Sequence, residues 1–241
     1  MAPTTSEREV TQIGRTPDRS HDATPQAVAR TPERRWPMAL AVLTAIVFQV
    51  VTPHAGRLVF WWVFPVLEFV LLAVLIIRDP GRIDRRTRAQ RRATIVLIVV
   101  MTVGTLGGIV VLLVDIVDSA YSVGPTVLLG RGAALWVTNV LVFSLWFWEL
   151  DRGGAAERAA GSSIPASFGF PEDAMPELVA AGWMPRYPDY LYLAFTNATA
   201  FSPTDTLPLR TWAKMTMMAQ AVISLIAAIL VIARAVNVLP G

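Results

Sequence analysis

The sequence predicts an all-α protein, a polytopic transmembrane helix bundle with about five spanning helices plus one re-entrant half-helix. Hydrophobic residues make up 54% of the chain and charged residues only 16%, whereas a soluble domain carries about 25% charged residues. The charges are concentrated in short stretches, which leaves several apolar runs long enough to cross a hydrocarbon core of about 30 Å. A polar break also divides the C-terminal apolar region into two unequal helical segments. These features predict an integral membrane protein in contact with the lipid bilayer.

The apolar segments divide the chain into regions. Spanning helices are predicted at residues 36–52, 58–77, 93–114, 132–150 and 208–239. The first four make a transmembrane region over 36–150, which follows a tail over 1–35 that lacks an apolar period and is expected to be disordered. A Pro-rich surface loop is expected over 151–188, before a C-terminal module over 189–241.

The third and fourth spans carry three local signals. Glycines 104, 107 and 108 form a small face that lets another helix approach closely. Residues 121–131 contain a Gly-Pro pair and are expected to form a loop. The aromatic stretch 146–148 is expected at the cytoplasmic interface of the bilayer.

The segment 78–92 gives the strongest indication of topology. It contains seven arginines against two aspartates, and short loops this basic remain cytoplasmic. The expected location is therefore the bacterial plasma (inner) membrane, with a cytoplasmic N-terminus and a fourth span that ends inside the cell.

The C-terminal module begins with a helix that is too short to span. Residues 189–201 give about 20 Å of helix at about 1.5 Å per residue. Non-helical backbone at membrane depth persists only where protein or trapped water satisfies its polar groups, so the break after this helix predicts a re-entrant loop. The same residues also form a capping box, with Ser202 at the N-cap and Asp205 at the third helical position. A first helix lying along the membrane surface is therefore the alternative, and both arrangements stay open.

The order of residues in this module resembles the pore region of tetrameric potassium channels. The channel turn Thr-Val-Gly-Tyr-Gly corresponds to residues 200–204, and the following Asp corresponds to Asp205. The channels' downstream Pro, Trp and basic residue correspond to Pro208, Trp212 and Lys214. Both glycines are absent and a Pro stands in place of the Tyr. Potassium selectivity does not carry over, because a filter of stacked carbonyls needs backbone geometry that Gly permits and Pro restricts.

A second resemblance covers the whole chain. Its WELDRGG segment at 148–154 and its FTNATAFSPTD segment at 195–205 resemble an uncharacterised family of bacterial multi-pass membrane proteins. This resemblance implies a class of protein and no activity.

The channel resemblance implies a homo-oligomer, a tetramer, that passes a cation. The C-terminus of the half-helix carries about half a negative charge, which favours a cation there. Met217, Gln220 and Ser224 recur at intervals of three and four, so they share one face of the last span, which suits either a pore wall or a tight helix contact. The candidate pore-lining residues are Thr196, Asn197, Thr199, Ser202, Thr204, Asp205, Gln220 and Ser224.

Two other functions are alternatives to the channel. One is a non-conducting membrane scaffold or assembly protein. The other is a secondary transporter, although the sequence has one broken helix where common transporter folds contain a pair. The charge rule makes the half-helix enter from the cytoplasm, whereas potassium channels insert theirs from outside. The module is inverted, the helix count differs by one, or the channel resemblance misleads, and the sequence leaves these three explanations open.

Two charges are predicted inside the membrane. Glu68 lies near the middle of the second span, where an acid costs about 2.5–3.5 kcal/mol on insertion. It is expected to face the bundle or a wet cavity, as an ion or proton site or as a structural carboxylate. Arg234 lies about one turn from the end of the last span, where it reaches the interface or pairs with an acid.

Composition argues against other classes of function. The chain has no cysteine and two histidines, and it has no Ser/His/Asp arrangement, phosphate loop or metal-ligand spacing. We therefore expect no enzyme, no catalytic residue, no cofactor and no metal site. The net charge of +3 is small, which argues against a nucleic-acid partner.

Overall fold

The computed structural model describes residues 33–52, 62–78, 82–83, 88–117, 124–161, 163–199 and 205–238, which are mostly helical. The predicted all-α class is confirmed. The helices are α1 (Trp36–Val51), α2 (Val63–Arg78), α3 (Arg88–Val117), α4 (Pro125–Leu150), α5 (Ala155–Ala160), α6 (Pro171–Ala174), α7 (Tyr187–Thr199) and α8 (Thr211–Val238). Single 3₁₀ turns lie at Asp151–Gly153 and Pro176–Leu178.

Among the described helices, three are long and apolar enough to cross a membrane by length and composition. The stretches cover Arg88–Asp115 in α3, Thr126–Ala160, which continues from α4 through the 3₁₀ turn into α5, and Thr211–Ile229 in α8. α1 is apolar but has only 16 residues. A membrane location is therefore compatible with the helices, while the number of about five spans stays a prediction.

The start of α4 corrects one sequence interpretation. Residues 121–131 were expected to form a loop, but α4 begins at Pro125 and includes the second half of that range. Proline suits the first helical position because the N–H that it lacks has no partner there and its fixed φ is already helical. The Gly-Pro pair is therefore a helix start.

Two short antiparallel ladders join distant parts of the chain. β1 (Glu33–Arg34) pairs with β2 (Arg82–Ile83), so that Glu33 lies opposite Ile83. β3 (Phe168–Gly169) pairs with β4 (Leu207–Pro208), and Phe168 lies opposite Pro208. The first ladder joins the last residues of the N-terminal tail to the Arg-rich segment. The second ladder joins the residues just before α8 to residues 151–186. We name residues 151–186 the cap.

Several elements meet at one end of the bundle. The Arg35 guanidinium donates to the Leu75 carbonyl near the end of α2 (2.8 Å), and the Tyr187 N–H at the start of α7 donates to the Glu33 carboxylate (2.6 Å). Arg91 near the start of α3 lies 3.8 Å from the Glu149 carboxylate at the end of α4. We name this end, which contains β2 and the start of α3, the arginine end.

α7 and α8 start at the arginine end and run in the same direction. The Phe168 ring contacts Tyr190 in the first turn of α7 (centroids 6.5 Å apart) and Trp212 in the first turn of α8 (5.7 Å). Further along both helices, Asn197 on α7 hydrogen-bonds Gln220 on α8. β4, which precedes α8, also lies at the arginine end, where it pairs with β3.

The core lies where α4, α7 and the cap meet. Phe147, Trp148, Phe168 and Tyr190 are all fully buried. The rings of Phe147 and Phe168 pack edge to face with centroids 5.1 Å apart, a geometry that the ring quadrupoles favour. Phe147 and Trp148 therefore lie inside the protein, because the cap covers them, and the expected position of this aromatic stretch at the cytoplasmic interface stays a prediction.

α3 and α4 approach each other closely at a glycine. A Cβ added at Gly108 would lie 2.7 Å from a methyl carbon of Leu135, so the end of that side chain would have to move to admit any larger residue. This confirms the expected close approach for Gly108, whereas Gly107 has no neighbouring atom within 4 Å among the described residues. The outward faces of the long helices carry exposed valines and isoleucines, such as Val110 and Ile229, as a lipid-facing surface requires.

Candidate functional site

Two of the predicted pore-lining residues form a clamp between α7 and α8. Asn197 Nδ2 donates to Gln220 Oε1 (2.8 Å) and to the Met217 carbonyl (2.9 Å). Gln220 Nε2 donates in turn to the Ala194 carbonyl (2.8 Å). Gln220 has 0% of its surface exposed. The two amides therefore satisfy one another inside a single chain.

A third candidate joins α8 to α4. Ser224 Oγ accepts a hydrogen bond of 2.8 Å from Asn139 Nδ2, and both residues are at least 98% buried. Met217 and Ala227 lie on the same buried face of α8. The periodic face noted in the sequence is thus a helix contact within the protomer.

The remaining candidates are local or lie outside the described residues. Thr196 Oγ1 donates to the Tyr192 carbonyl (2.9 Å), and Thr199 Oγ1 donates to the Thr196 carbonyl (2.7 Å), so both hydroxyls bond their own helix. Asp205 is exposed. Ser202 and Thr204 lie outside the described residues, as does the side chain of Arg234.

Charged groups inside the helix bundle are paired between neighbouring helices. Glu68 on α2 is fully buried, and its carboxylate accepts from Gln49 Nε2 on α1 at 2.9 and 3.1 Å. Asp115 near the end of α3 and Arg131 on α4 form a buried ion pair with an N–O distance of 3.0 Å. These contacts fix the α1–α2 and α3–α4 pairs.

A buried polar network fastens the cap to α4 and α7. One Asp151 carboxylate oxygen accepts from the Tyr190 hydroxyl (2.6 Å), and the other accepts from the Ser167 N–H (2.7 Å). Burial raises the pKa of Tyr190 well above its ordinary value, and Asp151 adds to that shift while Arg158 opposes it. The phenol therefore stays protonated and donates its hydrogen to the carboxylate.

Glu33 connects the N-terminal strand to the same network. Its carboxylate accepts from the Trp148 indole N–H (2.9 Å), from the Tyr187 backbone N–H (2.6 Å) and from Arg158 Nη2 (3.3 Å). A carboxylate with three donors, one of which is also its ionic partner, is well compensated despite its burial. β1 is thus attached to α4, α5 and α7 at once.

Arg158 on α5 is the cation that pairs with Glu33, while Arg152 pairs with Asp151 at 3.4 Å. Arg158 Nη1 donates to the carbonyls of Trp148 (2.8 Å) and Asp151 (3.0 Å), which end α4. Its guanidinium carbon lies 5.1 Å from the centroid of the Tyr190 ring, within the range of a cation–π interaction. The residue is 3% exposed, and its Nε has no hydrogen-bond partner among the described residues.

A cavity of about 510 Å³ lies beside the Glu33–Arg158 pair. α5, residues 180–186 and the first turn of α7 form its walls, and Trp183 and Asp189 contribute to its lining. Its volume lies within the range of small-molecule sites, about 300–1,000 Å³, and is far larger than one water molecule needs. Within the described parts of the chain, no group of three or more acidic or histidine side chains is arranged to hold a metal ion.

Comparisons with known proteins assign no family. No family model, no curated protein and no solved structure matches the chain. The two resemblances stated above therefore depend only on the residues quoted for them, and function has to be inferred from geometry.

Sequence reasoning did not identify the buried contacts of Glu33, Asn139, Asp151, Arg158 and Tyr190. Glu33 lies in a stretch without any apolar period, and its ionic partner lies 125 residues further along the chain. One available signal was the polar WELDRGG stretch at the end of α4. It contains three consecutive residues with positive φ, Arg152 (50°), Gly153 (80°) and Gly154 (93°), and such a reversal places Asp151 back against the bundle.

Proposed function

We propose that the protein is a non-conducting integral membrane protein that acts as a scaffold and presents its folded cap at the cytoplasmic face. One observation carries the proposal: Gln220 is 0% and Ser224 is 1% exposed, and each is bonded to a neighbouring helix of the same chain. A side chain that lines a pore between subunits lies on the surface of each isolated subunit, and these two do not.

The energetics of these contacts also favour a packing role. A buried polar group that loses its partner costs about 1–3 kcal/mol of stability. Turning Gln220 toward an axial pore would break its bond to the Ala194 carbonyl and remove one acceptor from Asn197. The closed arrangement is therefore the stable one for a single protomer.

The cap supplies the scaffold surface. It is held by the ionic and aromatic contacts of Asp151, Arg158 and Phe168, which fix its position against α4 and α7. The cap and the described arginines of the 78–92 segment share one end of the bundle, and the positive-inside rule gives that end to the cytoplasm. The surface is then available to a cytoplasmic partner or to a second membrane protein.

A cation channel is the second candidate, and one observation favours it. α7 and α8 start together at the arginine end, so a half-length helix precedes a long parallel helix, as in a pore loop. The C-terminal end of α7 points into the bundle, where its dipole favours a cation. Asp205 is exposed and adds negative charge at the mouth of such a path.

Ion flux together with oligomeric state separates the two candidates. Purified protein is reconstituted into liposomes, uptake of K⁺ and Na⁺ is followed, and the mass of the protein is measured in nanodiscs. We expect flux equal to that of empty liposomes and a monomer or dimer. A tetramer whose cation flux falls in Asp205→Asn, but not in the matched charge control Glu177→Gln, would overturn the scaffold and establish the channel. A pore-forming ionophore added last verifies that the vesicles are sealed.

A further inference from the structure

We propose that the cavity at the arginine end binds a small zwitterionic group, an ammonium joined by a short linker to a phosphate. Phosphoethanolamine has this chemistry, either as a free molecule or as the headgroup of phosphatidylethanolamine. The proposal is independent of whether the protein conducts ions.

The charges that line the cavity have both signs. Two acids, Glu33 and Asp189, and two arginines, Arg158 and Arg186, contribute to the lining, so the walls carry no net formal charge. Alanine side chains and Trp183 supply most of the remaining surface. Walls of this kind favour a neutral ligand that carries both charges over a simple anion or a simple cation.

Arg158 supplies a positive charge for the phosphate of the ligand. The residue is 3% exposed and lines the cavity together with Arg186. These two positive charges attract a phosphate to this wall of the cavity. Guanidinium groups also bind phosphate with favourable geometry.

Asp189 supplies a carboxylate for the ammonium of the ligand. One of its carboxylate oxygens accepts from the Arg186 N–H (2.6 Å) at the start of α7. Burial raises the pKa of Asp189, the carboxylates of Glu172 and Glu33 raise it further, and the charge and the N–H of Arg186 oppose the shift. An ammonium beside this carboxylate would offset the incomplete compensation of its charge, and the Trp183 ring adds a surface suited to a cation.

The site also lies where a lipid headgroup is accessible. The cavity is at the end of α4 and the start of α7, beside helices that are apolar enough to lie in a bilayer. Free phosphoethanolamine and a lipid headgroup would make the same polar contacts, so the two sources must be separated by experiment.

The test uses the full chain in nanodiscs that contain phosphatidylglycerol only. Binding of phosphoethanolamine is measured by titration calorimetry, with inorganic phosphate and ethanolamine as single-charge probes. In a second arm, nanodiscs with equal amounts of phosphatidylethanolamine and phosphatidylglycerol are analysed by native mass spectrometry for retained lipid. We expect the zwitterion to bind at least tenfold more tightly than either single-charge probe, in the free form, the lipid form or both.

Three variants locate the binding. Asp189→Asn removes the charge but keeps an oxygen for the Arg186 N–H, and Ala159→Leu narrows the cavity without changing any charge. Glu177→Gln makes the same charge change on an exposed part of the cap that does not line the cavity. The first two are expected to weaken binding at least tenfold, and the third to leave it unchanged.

Equal affinity in the wild type, Asp189→Asn and Ala159→Leu would overturn the proposal, as would the absence of binding in both arms. Retention of phosphatidylglycerol as strong as that of phosphatidylethanolamine would also overturn it. Thermal melting of each variant shows whether it is folded. If Ala159→Leu does not fold, the comparison of Asp189→Asn with Glu177→Gln decides alone.

Discussion

The side-chain amides of Asn197 and Gln220 bind one another at 2.8 Å, and each makes a second bond to the backbone of the other's helix. Such a reciprocal pair holds α7 and α8 at one fixed offset. Because Gln220 is fully buried, a change that breaks its bonds leaves polar atoms that water cannot readily reach.

The clamp makes a prediction about stability. Gln220→Leu keeps the volume of the side chain but removes the donor to Ala194 and the acceptor for Asn197, so we expect unfolding to be easier by about 1–3 kcal/mol. Denaturant titration in detergent micelles measures the change. Thr196→Val is the control, because that hydroxyl bonds its own helix and is half-buried. In a double-mutant cycle, Asn197→Leu and Gln220→Leu should couple by about 0.5–3 kcal/mol, and strict additivity would contradict the clamp.

The Glu33–Arg158 pair should hold β1 and the cap together. Arg158→Met leaves a buried carboxylate without its cation, which costs about 3–5 kcal/mol. We expect the cap to become sensitive to limited proteolysis while the long helices stay protected. The comparison variant is Asp173→Asn, which removes a more exposed partner of Arg152 and should change stability by about 0–1 kcal/mol. Equal proteolysis of both variants would mean that the buried pair does not hold the cap.

The two buried tyrosines at the start of α7 offer a matched comparison. Tyr190 donates to the Asp151 carboxylate at 2.6 Å, whereas the Tyr187 hydroxyl shares a bond of 2.7 Å with the neutral Ser144 hydroxyl. Hydrogen bonds to charged groups contribute about 1.5–3 kcal/mol and neutral ones about 1 kcal/mol. Tyr190→Phe should therefore lower the melting temperature more than Tyr187→Phe. The reverse order would show that the bond to the Asp151 carboxylate contributes no more than the bond to the Ser144 hydroxyl.

Local pattern predicted the helices well, because helix formation in this chain follows runs of apolar residues. The first span was predicted at 36–52 and the half-helix at 189–201, and α1 and α7 lie at Trp36–Val51 and Tyr187–Thr199. The predicted start of α4 was wrong, because a Gly-Pro pair occurs both in loops and at the first turn of a helix.

The contacts between residues that are far apart in sequence could not be predicted from local pattern. Periodicity identified the face of α8 that contains Gln220 and Ser224, because burial repeats with the helical turn. Periodicity could not show that Asn139 faces Ser224. The two residues are 85 positions apart in sequence, and their contact depends on how α4 and α8 pack together. The same holds for Glu33 and Arg158, and for this reason the cap network had no counterpart in the sequence interpretation.

The raised pKa of Asp189 predicts how stability depends on pH. The folded protein holds this proton more tightly than the unfolded chain, whose aspartate has a pKa of 3.8. Ionisation of Asp189 therefore costs stability as the pH rises through its folded pKa, and that stability is regained as the pH falls toward 3.8. Asp189→Asn resembles the protonated state at every pH, so it should melt at a higher temperature than the wild type at pH 7, and the difference should shrink as the medium is acidified. Glu33, Arg158, Glu172 and Arg186 surround Asp189 in both proteins, so their titration largely cancels in the comparison. If the difference in melting temperature between Asp189→Asn and the wild type stayed constant from pH 7 to about pH 4, the carboxylate would be as well solvated as an ordinary aspartate, whose pKa is about 3.9.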